Sequence, residues 1–235
     1  MVYKFLPAFA VFLFSFLPIE SKQTAPDFAA YTATTTLAMK VQSIYEHLDA
    51  KQYNLPQFES FSNALLGFYQ LKEKGLIEKN ILTIVDFSLS SNVKRLWVID
   101  LTTNAVLFNT LVAHGRNTGE EFANSFSNQA ESFKSSLGFY ATAEVYNGKH
   151  GMSLKLDGLE KGINDNARER ALVMHGADYV SDTFIKGNKR LGRSQGCPAV
   201  PVEMNDKIIN VIKNKSCLYI YHSSRNHQVN LKLIS

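Results

Sequence analysis

Apolar residues recur at two different periods along this chain. Between residues 36 and 75 they repeat every three to four positions, and from residue 81 onward they alternate or cluster in short runs. Leu37, Val41, Ile44, Tyr45 and Leu48 mark one helix. Phe58, Phe61, Leu65, Phe68 and Leu71 mark a second, with Pro56 near its start and Gly75 at its end. Together they predict an α-hairpin whose aromatic stripe serves packing.

The later pattern predicts strands over 81–87, a hairpin within 94–113, and further strands over 138–146, 152–159, 170–176 and 217–221. A helix is expected over 203–214, and Val229, Leu231 and Leu233 suggest a short edge strand. The expected fold class is therefore mostly β (α+β), a β domain with an N-terminal helical hairpin extension.

The first residues follow another pattern. One lysine precedes the uncharged run Phe5–Leu17, and PIESKQ follows it. The run is short for a bilayer span and fits the hydrophobic region of a secretory signal; an uncleaved anchor is the alternative. The expected organisation is a signal peptide over 1–21, a linker over 22–35, a helical extension over 36–80 and a main β domain over 81–235. This places the protein outside the cytoplasm, in the periplasm or cell envelope.

Composition refines the picture little. The 235 residues are 45% hydrophobic and 20% charged, as in a globular protein that builds its own core. The net charge of +4 is spread out, without the basic tract expected of a nucleic-acid partner. No spacing suited to zinc occurs, nor a phosphate-binding glycine loop, and Asn164–Asn166 lacks the ligand ladder of a calcium loop. No cofactor is expected.

Two cysteines remain. Cys217 lies in an alternating strand and reads as buried, whereas Cys197 lies in the polar loop GRSQGCPAVP. In an oxidising compartment they are candidates for a disulfide. The other reading pairs the loop thiol with a distant histidine. His175 ends the apolar run ALVM and precedes Gly176, so it belongs at a strand end. The polar, glycine-bearing stretch between His175 and Cys197 is long enough to bring sulfur to imidazole. Two readings of these residues stay open: a Cys–His dyad, or a strand-end histidine bonded to backbone beside an unrelated thiol. Arg193 is a candidate to lower the thiol pKa or bind a substrate carboxylate. Gly196 allows close backbone approach, Pro198 stiffens the loop, and the amides near Cys197 are candidate oxyanion donors.

The blocks MHGADYV and GRSQGCPAVP resemble the murein L,D-transpeptidase catalytic domain family (YkuD-type), in particular a branch reading Gly-Arg-Ser-x-Gly-Cys-Pro. The similarity extends over much of residues 81–221, through TIVDFSLSSNVKRLWVIDL, VAHGRNTG and SSLGFY. It implies a β-sandwich-like catalytic domain, Cys197 as nucleophile and His175 as general base, oriented by Gly176. Ser194 and Gly196 match the Ser and Gly before the nucleophile, and Gln195 stands where the family usually has histidine. His114 and Tyr140 are candidates to line the substrate groove. The implied partner is the peptidoglycan stem peptide, and the implied reaction is transfer of a diamino acid's acyl group from a D-amino acid to an amine. Hydrolysis by the same site (an L,D-carboxypeptidase) and a non-catalytic cell-wall-binding protein are alternatives. A cysteine hydrolase using His222 or His227 is a third.

Overall fold

The computed structural model describes residues 28–224, with side chains from Leu37 onward. The segment read as a signal peptide, the strand expected over Val229–Leu233 and His227 lie outside the described residues. The chain divides into two units, Met1–Leu37 and Ala38–Ser235. Helix α1 (Phe28–Glu46) begins inside the stretch expected as a linker, and α2 (Phe58–Glu73) follows.

Eight strands form one mixed sheet: β1 (Ile81–Asp86), β2 (Leu96–Asp100), β3 (Ala105–Thr110), β4 (Gly138–Gly148), β5 (Gly151–Gly158), β6 (Val173–Gly176), β7 (Ala199–Val200) and β8 (Cys217–Tyr221). Their order is β3-β2-β1-β8-β4-β5-β6-β7. The pairs β1–β8 and β6–β7 are parallel, the rest antiparallel. Short α3 (Asp182–Asn188) and α4 (Val202–Ile212) flank β7 in sequence.

The sheet curls until its ends meet. Just beyond β3, the Ala113 amide donates to the Ala199 carbonyl in β7 at 2.8 Å. The mostly-β expectation holds, and the layering is one strongly coiled sheet approaching a barrel. Strand alternation splits the core in two. Val85, Val98, Leu154, Met174, Leu218 and Ile220 face inward against Ile208, Ile209 and Ile212 of α4. Leu82, Ile84, Trp97, Cys217 and Tyr219 face outward, where Val41, Phe61, Leu65, Phe68 and Leu71 of α1 and α2 cover them. The central strands β1 and β8 are thus buried on both faces.

Candidate active site

The loop bearing Cys197 is built by backbone ties before any side chain enters. After α3, Lys189 turns the chain at φ 63°, and the Gly192 amide then donates to Tyr179 O at 2.9 Å. Ser194 N donates to His114 O at 3.0 Å, and Ser194 O accepts from Arg116 N at 2.8 Å. The segment after β3 thereby holds the loop alongside. Gly196 then adopts φ +121°, a conformation side chains rarely take. Ser194 closes this turn: its hydroxyl donates to Cys197 O at 2.6 Å and accepts from Gly196 N at 3.0 Å. From the other side, Ser135 Oγ donates to Gly196 O and accepts from Gly115 N, each at 3.0 Å.

The sheet register sets where the sulfur and imidazole stand. His175 in β6 pairs with Ala199 in β7. Continuing that ladder backward brings Cys197 opposite Val173, and the Val173 N–H reaches Cys197 Sγ at 3.5 Å. Two residues along a strand separate positions by roughly 6–7 Å. His175 and Cys197 are not hydrogen-bonded to each other, yet both line one open cavity of about 630 Å³. His175 Nδ1–H donates to the Gly176 carbonyl at 2.9 Å, which fixes the tautomer and leaves Nε2 unprotonated.

Electrostatics oppose each other at the sulfur. Burial pushes the Cys197 thiol above its ordinary range, while the Val173 N–H and the Arg170 guanidinium pull it down. Burial holds His175 below its usual value; the Gly176 carbonyl opposes this and His150 adds to it. The His150 ring stacks on His175 with centroids 4.5 Å apart. Three cavity-lining residues have left-handed or near-left-handed backbone, Glu131, Phe133 and Ala171, at φ 56°, 53° and 53°. Such strain concentrates where structure is shaped for function.

Residues 52–221 match the family of L,D-transpeptidase catalytic domains. The chain belongs to that family. No curated protein matches it. Among solved structures it is similar to an L,D-transpeptidase from Mycobacterium smegmatis, at 9% identity and a TM-score of 0.37, covering 60% of this chain and 58% of that one. It is similar to the helical cell shape determining protein Pgp2 from Campylobacter jejuni, at 14% identity and TM-score 0.42, covering 66% and 53%. An L,D-transpeptidase from Stackebrandtia nassauensis shares 10% identity at TM-score 0.37, covering 77% and 74%. The chain spans less than two thirds of the length of the first two.

Within this L,D-transpeptidase domain, the residues singled out in the sequence separate into those at the cavity and those away from it. Ser194, Gln195, Arg193, His175 and Cys197 line it. The Gln195 side chain is exposed and bonds to none of the described residues. Gly196 lies beneath, its amide committed to Ser194 Oγ, while the Cys197 amide stands beside its own sulfur. Gly176 lies under α4, where a Cβ would stand 3.2 Å from Val202 Cα and Asn205 Cβ.

Arg193 is no free cation: it pairs with Glu120 at 2.6 Å and donates to Gly119 O at 3.1 Å. His114 does not line the groove. It is 1% exposed, accepting from Arg95 Nη2 at 2.8 Å through Nδ1 and donating to Gly119 O from Nε2. Burial, then Arg95, holds it down to about 4, neutral at ordinary pH. Tyr140 is also interior, its hydroxyl donating to Ser136 O at 3.0 Å. His222 stands against Phe126 and Ser224, away from the cavity. Both cysteines are free thiols, and Cys217 is fully buried behind the helices. Sequence reasoning passed over Arg170, at the start of the strand expected over 170–176, and His150, which falls between the strands expected over 138–146 and 152–159. Their proximity to Cys197 and His175 has no local sequence signal.

Proposed function

We propose that this domain is an exported cysteine L,D-transpeptidase acting on peptidoglycan stem peptides. The observation that carries the reading is the shared cavity: strand β6 and the turn before β7 bring a neutral imidazole with an unprotonated Nε2 and a half-buried thiol to one opening. His175 Nε2 takes the Cys197 proton, and the sulfur attacks the carbonyl joining the diamino acid to a terminal D-residue. The Cys197 amide donates to the oxyanion that forms. The C–N bond breaks, His175 returns the proton to the departing D-amino acid, and a thioester remains. An incoming amine, deprotonated by His175, then displaces the thiolate and forms the new amide.

The separation in the free protein is bridged when a substrate fills the cavity, since such contacts tighten on binding. Gln195 offers an unpaired amide to the substrate where the family's usual residue is histidine. Export rests on the charged start and apolar run of Met1–Leu17.

Intact-mass analysis after incubation with a tetrapeptide stem tests this. The expected result is an acyl adduct mapping to Cys197, absent in Cys197→Ser and slowed in His175→Ala, with D-alanine released. Chasing the adduct with an amine separates transfer from hydrolysis by water. Binding to sacculi without adduct or release identifies a wall-binding protein instead and ends the catalytic reading.

A further inference from the structure

Arg170 enters the cavity from the turn before β6, half-buried, and among the described residues no carboxylate pairs with its guanidinium. Nη1 donates to Ser127 O at 2.7 Å and Ser136 Oγ at 2.5 Å. Nη2 donates to Ser132 Oγ at 3.2 Å and Lys134 O at 2.6 Å. All four acceptors are neutral oxygens of one segment, 127–136. The same segment supports the nucleophile's turn. Ser135 Oγ donates to Gly196 O, and Lys134 O lies 2.8 Å from where a Gly196 Cβ would stand. Arg170 therefore gathers the segment from one side while the turn of Gly196 and Cys197 leans on it from the other.

Three other arginines of this domain carry carboxylates, whereas Arg95 is sealed in the core against Val112 O, Leu89 O and His114, and Arg116 lies over the Phe133 ring. Arg168 bonds Glu144 and Asp157, and Arg190 and Arg193 bond Glu120. Arg170 keeps its whole charge, and its own backbone neighbours touch the sulfur: Ala171 O accepts from Cys197 Sγ at 3.9 Å and Val173 N–H reaches it at 3.5 Å.

We infer that Arg170 is a positioning residue whose uncompensated guanidinium favours the thiolate of Cys197 and braces the turn that carries it. This rests on the reading of Cys197 as nucleophile. The other ionisable groups lining the cavity do not supply the same charge. Arg193 is paired, Lys149 and His150 occupy the exposed tip between β4 and β5, and Glu131 is exposed and of opposite sign. His175 is neutral and Tyr179 is kept protonated, its pKa pushed up to about 12 by burial. The guanidinium's pull on the thiol, against burial, agrees with this assignment.

The test is the rate at which iodoacetamide alkylates Cys197 as a function of pH, in the full chain, with the site assigned by peptide mapping. It needs no substrate. Arg170→Met is expected to raise the midpoint by about one pH unit and slow alkylation at neutral pH by about tenfold. Arg170→Lys keeps the charge, and its midpoint is expected to stay within about half a unit of the parent's. A folded Arg170→Met with the parental midpoint overturns the inference. If that variant does not fold, Arg170→Lys decides: a parental midpoint supports the role of charge, and a rise of a full unit in a folded protein defeats it. A Cys197→Ser variant that still transfers acyl groups removes the nucleophile reading and leaves the alkylation result standing, so the two failures are distinct.

Discussion

Removing one hydroxyl from the nucleophile's turn is the sharpest perturbation available. In Ser194→Ala the Gly196 N–H and the Cys197 carbonyl both lose their partner, because Ser194 Oγ serves them at 3.0 Å and 2.6 Å. Gly196 is buried, so its N–H is stranded without water, at a cost of about 1–3 kcal/mol. The carbonyl belongs to a half-buried residue that solvent reaches, and its loss adds about 0.5 kcal/mol. A total of about 1.5–3.5 kcal/mol corresponds to a drop in Tm of roughly 3–14 °C for a chain of this size. Loosening a turn that needs φ +121° at Gly196 also moves the sulfur, and a displacement of this kind costs on the order of 100-fold in turnover. Differential scanning fluorimetry with the rate of thioester formation reads both effects. An unchanged melting temperature together with parental turnover would show that Ser194 does not close the turn.

Two further outcomes follow from packing and protonation. In Gly115→Ala the new methyl would stand 2.5 Å from Phe133 O and 2.9 Å from Gly196 Cα, so backbone must shift; stability should fall by about 1–3 kcal/mol in urea titration, with acyl transfer falling further than stability alone explains. His114, held down to about 4 when folded against an ordinary 6.5, binds its proton in the unfolded chain first. Its contribution is present above pH 6.5 and lost as pH falls toward 4; between pH 7.5 and 5 it removes about 2 kcal/mol, and a stability flat over that range in chemical denaturation would contradict a neutral buried His114.

The sequence shows its structure wherever an element's own residues decide the matter. Cys217–Tyr221 is legible to the residue because alternate side chains enter two separate cores. The stripe of α2 is legible because one face is buried along its length. Two elements are silent for the opposite reason. Helix α3 buries no residue, and β7 has two residues whose strand character comes from pairing with His175 and Ala113. Strand β6 begins only at Val173, since Ala171 at φ 53° interrupts the apolar run.

The site divides in the same way. Cys197 and His175 stand out because a polar loop thiol and a strand-end histidine contradict their surroundings. His114 has the same local look, a histidine after a strand and before glycine. Its environment is decided by Arg95, a fully buried side chain from elsewhere in the chain. Arg193 is claimed by Glu120, and Arg170 by four serine and lysine oxygens more than thirty residues away. These pairings are facts of topology, with no periodicity to announce them.

The contact between Ala113 and Ala199 has a consequence for how such a protein fails. It is a seam one bridge wide, and the reactive turn is stitched to its margin through Ser194 and Gly115. Parting the seam leaves most of the ladders intact while freeing two strand borders at once, each a ready template for another chain. Heating should therefore abolish thiol placement before the bulk of the sheet dissolves, and the inactivated material should associate edge to edge.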